Sequence, residues 1–437
     1  MLDLQPFLTA YDPSDLPGSS VDPLGFDRGY ELLADKILPG LTNVASRPRY
    51  LSAYCAALVI AEEDGAQRGT ERDRKEQKLA LVLQLERLWA LSCLLGGEGE
   101  PAIDDGGIRG IRYVQAYVKR MRTGSDGDFR LLLQQARYGM LGIYGSVADN
   151  LKLVARSEIE LTEPGRRLGE AFIRETKMPE PIRAAVVKPR SVPRELLASW
   201  GRRAHVNAAY GVAEATGLAD AMDQDPTRQR MGRHLRAHPL HTAEPELNRL
   251  ARVSIALDGT TDRDLAEATR AILAYEEAYR SLLLVFFRVL WFCQRPPFTF
   301  DLAYANADGI HQKVFSAAKT FASNLDAAFS ESATANFQKG LERARDVRQF
   351  VASAAACTSA AELVEIVLAR HRDVLGARLA GGRPKMPWVE VTNGTAKPTL
   401  TAAQQIQVEF EGPETILAHP YRTGAADRFY FSTGVTA

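Results

Sequence analysis

Residues 129–176 read FRLLLQQARYGMLGIYGSVADNLKLVARSEIELTEPGRRLGEAFIRET, and the rest of the chain is organised around them. Leu131, Leu132, Gln135 and Tyr138 mark a helical stripe that the glycines at 139, 142 and 145 interrupt. Gly145 or Ser146 then caps a second helix, SVADNLKLV, with Val147, Leu151 and Val154 on one face. ARSEIELT is short and alternates like a strand. Thr162 is a good N-cap, Pro164 is tolerated in the first turn, and Leu168, Ala171 and Phe172 supply the buried face of the closing helix. That order suits a small helix–turn–helix module with a wing.

Outward from this module, a chain of 437 residues exceeds one compact core and predicts several domains. Apolar content of 46% and charged content of 25% are those of an ordinary globular protein. The formal net charge is zero, so no global field draws the molecule to nucleic acid or to an anionic membrane. Any such binding has to come from a local patch. Arginine outnumbers lysine by roughly three to one, which suits carboxylate or phosphate contacts and equally reflects a GC-rich genome. Cys55, Cys93, Cys293 and Cys357 lie far apart in apolar runs, as buried small hydrophobes do. The N-terminus lacks a signal-peptide pattern, and the most apolar run, 282–293, is interrupted by Arg288 and too short for a bilayer. The expectation is a cytoplasmic protein with no membrane partner.

The architecture expected is mainly α, multi-domain, with an embedded winged helix-turn-helix and a small β-rich C-terminal tail. Residues 1–125 read as an N-terminal helical domain, with a helix near 29–38 stopped by Pro39-Gly40, a second containing Tyr50, Leu51, Tyr54, Leu58 and Val59, and a third ended by Gly96-Gly97. Residues 126–178 are the winged-helix module. Residues 179–260 follow as a Pro-rich basic connector with short helices, because four prolines from Pro179 to Pro193 rule out one continuous helix. Residues 261–380 read as a helical bundle. Its clearest helix is 262–295, with partners near 308–329, 335–356 and 360–379. Residues 381–437 carry alternating stretches, MPWVEVTNG, QIQVEFEG and DRFYFSTG, with Asn393-Gly394 as a hairpin dipeptide.

Leu153-Val154 and Leu161-Thr162-Glu163-Pro164-Gly165-Arg166-Arg167-Leu168 resemble the MarR-like winged-helix signature, in which a helix ending Leu-Val precedes a wing and a Leu-Thr-x-x-Gly-x-x-Leu helix start. The resemblance covers about fifty residues. It implies a duplex-DNA partner met by Ser146, Asn150 and Lys152 in a groove, with Arg156, Arg166 and Arg167 near phosphates. The short wing, and Asp149 close to Lys152, leave room for a winged helix used in protein contact. More faintly, LADKILPGLTNVASRPRYLSAYCAAL and LTEPGRRLGEAF are similar to blocks in uncharacterised bacterial proteins encoded near phage-defence genes. That similarity implies a context and not a reaction.

Span 181–241 holds ten Arg and Lys against five Asp and Glu, so it is the most basic region. Arg190, Arg194, Arg202 and Arg203 are its candidates for tracking phosphates, the alternative being a solvated linker. Arg47 and Arg49 precede a helix and are candidates for a phosphate at its N-terminus, the alternative for Arg49 being a carboxylate partner. His234 and His238 have i, i+4 spacing, but Pro239 breaks the helix before His241 and no HExxH motif exists. No P-loop, nucleophile elbow or convincing dinucleotide fingerprint is present, and no cofactor or metal is expected. The chain therefore reads as a non-catalytic DNA-binding or partner-docking subunit of a bacterial multi-protein system directed at DNA, with anti-phage defence as the context. The alternatives are an effector nuclease whose site forms only in the fold, and a scaffold that oligomerises through helix 262–295.

Overall fold

A computed structural model describes residues 22–63, 70–97, 107–157, 159–241, 244–293, 297–306, 310, 312–331, 345–380, 383–399, 419 and 421–430. The protein is mainly helical, with a few two- and three-stranded sheets. The chain folds into two compact units, one of residues 1–37 with 238–421 and one of 38–237 with 422–437.

In the first unit, the helix Arg263–Cys293 forms the core, as its all-round apolar second half predicts. Helices Asp27–Ile37, Glu246–Leu257, Gln312–Glu331 and Ala360–Gly376 pack around it. Phe26 closes one end against Tyr275 and Tyr279, both at 5.2 Å between ring centroids. The three-stranded antiparallel sheet runs in the order Phe300–Asp301, Thr395–Pro398, Val389–Thr392. Asn393 and Gly394 link the last two strands with φ of 52° and 74°, the left-handed pair a two-residue hairpin demands. QIQVEFEG lies outside the described residues.

In the second unit, helix Arg49–Glu63 is buried from Arg49 through Ala61. It packs on helix Glu71–Gly97, whose other main neighbour is Arg194–Ala204. The latter pair meets backbone to backbone: a Cβ on Gly201 would overlap the Ser92 carbonyl. Tyr50 lies edge-on to Trp89 at 4.6 Å and stacked on Tyr144 at 4.7 Å. Helix Glu71–Gly97 is long and apolar enough to cross a membrane, and 72% of its apolar window is buried inside the fold.

Several local expectations change. The expected extended connector contains helix Glu180–Val187, where Pro181 fits because the first turn needs no amide donor at that position. Helices Arg194–Ala204, Val212–Asp223 and Pro226–Ala237 follow, and Trp200 is fully buried, so residues 179–237 pack as part of the second unit. DRFYFSTG begins as a helix and not a strand. Thr423–Tyr430 is helical, with Ala425, Ala426, Phe429 and Tyr430 buried on one side, and Gly232 leaves room for the Tyr430 ring. The stripe from Leu131 to Tyr138 yields only the short helix Gln135–Tyr138, because Leu131 alone of its members is buried.

Candidate nucleic-acid interface

Helix Met140–Asn150 has Gly139 as its N-cap, so Gly145 and Ser146 lie inside it and cap nothing. The cap is supplied from another helix. The Glu86 carboxylate accepts the Met140 amide, and its other oxygen accepts Gln135 Nε2 at 2.8 Å. Burial pushes the Glu86 carboxyl up to about 7, against the lowering effect of those bonds and of Arg109 and Arg87.

The chain leaves this helix through Lys152, at φ 57°. Val154–Ala155 pairs antiparallel with Glu160–Leu161 in the register Val154↔Leu161. Thr162 then caps helix Glu163–Glu175: its Oγ1 accepts the Gly165 amide at 3.2 Å and donates to the Lys152 carbonyl at 2.6 Å. Gly165 is required, since a Cβ there would overlap the Leu153 carbonyl. Lys75 on helix Glu71–Gly97 holds the hairpin by donating to the Ser157 carbonyl at 2.7 Å. Helix, two-stranded hairpin and capped helix follow one another, but the helix stops at Asn150, short of the expected Leu153-Val154 end, and Val154 is the first residue of the hairpin strand.

The candidate side chains are not gathered equally. Along Met140–Asn150 only Asn150 is exposed, and its Nδ2 donates to the Gly40 carbonyl at 3.2 Å. Ser146 is half-buried in mid-helix. The face that a recognition helix would present is therefore largely enclosed. Lys152 and Arg156, beside and within the hairpin, are exposed, and no carboxylate of the described residues pairs with either side chain. Arg166 forms an ion pair with Glu62 at 2.6 Å, and Arg167 pairs with Glu163 at 3.4 Å along its own helix. Those two arginines bring little uncompensated charge to the face.

Of the connector candidates, Arg190 is exposed and Arg194 half-buried. The strand Val192–Pro193 pairs with Gly124–Ser125, and the Arg194 amide donates to the Thr123 carbonyl at 3.0 Å, so this part of the connector is tied to residues 123–125. Arg202 and Arg203 are exposed on Arg194–Ala204, with Arg203 Nε donating to the Thr176 carbonyl at 2.9 Å.

Arg49 is tied into the fold, whereas Arg47 is half-buried with one side-chain hydrogen bond. Arg47 Nη1 donates to Asn207 Oδ1 at 2.8 Å. Arg49 is 1% exposed, bonds both oxygens of the buried Glu214, and donates to the carbonyls of His205, Ala208 and Ala209. Every guanidinium hydrogen is used, so none is left for a phosphate.

Other reactive groups are structural as well. Cys55, Cys93, Cys293 and Cys357 are buried free thiols. Helix Pro226–Ala237 ends before His238, so His234 and His238 do not share a helix face, and among the described residues no group of three His, Cys, Asp or Glu could hold a metal. The first unit contains a polar cluster that the residue pattern did not reveal. Glu276, fully buried on Arg263–Cys293, accepts from Tyr421 and lies 2.7 Å from His419 Nδ1, while His419 Nε2 lies 3.5 Å from Asp27. Burial opposes the imidazolium, but hydrogen bonds and charge from Asp27 and Glu276 outweigh it and raise His419 to about 9. No protein-family profile matches this chain, no curated protein matches its sequence, and no solved structure matches its fold.

Proposed function

We propose that the chain is a non-catalytic subunit of a bacterial multi-protein system directed at DNA, and that residues 129–176 act in it as a winged helix-turn-helix of MarR-like kind. The observation that carries this reading is the hairpin between helices Met140–Asn150 and Glu163–Glu175, with Lys152 and Arg156 exposed and unpaired by any described carboxylate. Two exposed cations, one beside and one within a hairpin, suit phosphate contacts. The anti-phage context rests on the similarity of residues 33–58 and 161–172 to proteins encoded near such genes.

Docking of a partner subunit by the same face is the second reading. It is favoured by the enclosed helix Met140–Asn150 and by the pairing of Arg166 and Arg167 with Glu62 and Glu163. The scaffold alternative loses its surface, because none of the large exposed hydrophobics among the described residues lies on Arg263–Cys293.

A mobility shift of a short duplex over a salt series separates the two readings. DNA contact through the hairpin predicts binding that falls steeply with salt. The Lys152→Ala/Arg156→Ala variant then lowers the log–log salt slope by about 1.8, two phosphate contacts at about 0.9 each. No shift at low salt removes the DNA reading and leaves docking.

A further inference from the structure

We propose that the hollow beside the helix Ile111–Val118 binds a nucleotide, with Arg122 and Arg130, assisted by Arg120, on its phosphates and its base against the rings of Tyr117 and Phe129. The hollow has a volume of about 630 Å³, and these five residues with Asp128 line most of it. Small-molecule sites span about 300–1,000 Å³, so a mononucleotide fits. The inference is independent of DNA binding by the hairpin.

Charge is the first argument. Arg120, Arg122 and Arg130 are all exposed, and Arg120 Nε reaches only the Ala116 carbonyl of its own turn, at 3.3 Å. Among the described residues the side chains of Arg122 and Arg130 form no hydrogen bond or ion pair. Three exposed guanidinium groups line one hollow. Their planar forks match phosphate oxygens two at a time.

The rings are the second argument. Tyr117 and Phe129 are stacked, with centroids 4.4 Å apart and planes 19° from parallel. Tyr117 OH is hydrogen-bonded to Ser125 Oγ at 2.8 Å, which holds the pair in place before any ligand binds. A purine extends such a stack without rearrangement. Asp128, exposed on the rim, accepts from a ribose hydroxyl or an exocyclic amine, and it repels a bare polyphosphate. A nucleotide is thereby favoured over an inorganic anion.

The frame is rigid. Ser125 is 3% exposed and its Oγ also accepts the Gly127 amide at 3.0 Å. Gly124 pairs with Pro193, and a Cβ on Gly124 would overlap the Val192 carbonyl, so the strand Val192–Pro193 fixes the floor of the loop. The same pairing carries Arg194 to the Thr123 carbonyl. The loop is set before the ligand arrives, which limits the ordering cost of binding.

The chemistry recognised, a base bearing a phosphate, occurs in a free nucleotide and at the 5′ end of a nucleic-acid strand. Calorimetric titration of the full chain with ATP, pyrophosphate and a 5′-phosphorylated single-stranded oligonucleotide tests the site and separates the sources. Expected is binding of ATP or of the oligonucleotide, weakened at least tenfold by Arg122→Ala/Arg130→Ala, two exposed positions where the melting temperature should not move. Tyr117→Leu should cost ATP about tenfold and leave pyrophosphate unchanged, as loss of one stacking face predicts. ATP bound as tightly as the oligonucleotide means a free nucleotide. An oligonucleotide bound tenfold more tightly, and dependent on its 5′-phosphate, means a strand end. No heat from either at millimolar concentration, or unchanged binding by the double arginine variant, overturns the proposal.

Discussion

Replacing Arg49 with methionine should destabilise the second unit and leave the first unchanged. The side chain is 1% exposed and the methionine stem fills much of its volume, so the effect comes from lost hydrogen bonds and from the partner left behind. Glu214 is fully buried, with Arg49 Nη2 at 2.9 Å and Nε at 3.2 Å from its two oxygens. A buried carboxylate stripped of its cation is left uncompensated in a low-dielectric interior. The freed carbonyls of His205, Ala208 and Ala209 add to this. Breaking a buried pair from one side costs about 3–5 kcal/mol. For a unit of this size that is a drop of about 6–20 °C in its transition, at about 2–4 °C per kcal/mol. Scanning calorimetry of the wild type, Arg49→Met, Glu214→Leu and the double variant measures it. The double variant should lose less than the sum of the singles, because no charge is stranded. An Arg49→Met transition within a degree or two of wild type, or strict additivity, would refute the reasoning and return Arg49 to the phosphate candidates.

Two further outcomes concern pH. His419 is raised to about 9, so its bonds to Glu276 and Asp27 stabilise the first unit fully below about 6.5 and are lost as pH rises through about 9. The unfolding free energy from denaturant titrations should fall over that window by up to about 3 kcal/mol, and a His419→Gln variant should show no such fall. Glu86 is raised to about 7 by burial, so the folded second unit keeps a proton that the unfolded chain releases above 4.5. Wild-type stability should decline from pH 4.5 to pH 7, again by about 3 kcal/mol, and Glu86→Gln should flatten the decline. A wild-type stability that rises from pH 4.5 to pH 7, or a decline that Glu86→Gln leaves unchanged, would contradict the assignment.

What could be read from the residues was what depends on near neighbours. Thr162 caps its helix because the acceptor and the Gly165 amide are three residues apart. Asn393-Gly394 makes its turn because those residue types tolerate positive φ. The core helix Arg263–Cys293 announced itself by its own apolar pattern. The failures are long-range. Ser146 offered a cap, but the Glu86 carboxylate on another helix claimed the start of the helix at Met140, and no local pattern encodes that competition. Arg49 suited either a phosphate or a carboxylate until the fold brought in Glu214 from 165 positions away. The helix Thr423–Tyr430 was hidden by a short aromatic alternation, whose burial is decided by Val212–Asp223 and Pro226–Ala237. Arg120 and Arg122 stood in plain view two residues apart, but without Phe129 and Arg130 folded beside them they described only a charged helix end.

The excess of arginine over lysine bears most directly on where a ligand goes. A helical protein leaves carbonyls unpaired wherever a helix ends, and loops between helices add more. Arginine, with five donors in a fixed fork, ties such oxygens together in a way three ammonium hydrogens on a flexible stem do less well. Arg228 does so for the carbonyls of Pro39, Ala221 and Met222, Arg109 for those of Val44 and Tyr138, and Arg249 and Arg370 for those of His238 and Leu24. An arginine count is therefore a poor measure of affinity for phosphate in this chain, and so is the basic balance of residues 181–241. The first requirement is a guanidinium or ammonium held at the surface with nothing to donate to. Arg122, Arg130, Lys152, Arg156 and Arg190 are exposed with no side-chain partner among the described residues, and so are Arg112, Lys119, Lys188 and Arg202. It is the grouping of Arg122 and Arg130 beside two rings, and of Lys152 and Arg156 at one hairpin, that sets those positions apart. Because the net charge is zero, such groupings carry positive potential against no background field, and salt should affect binding there while leaving the internal arginine bonds nearly untouched.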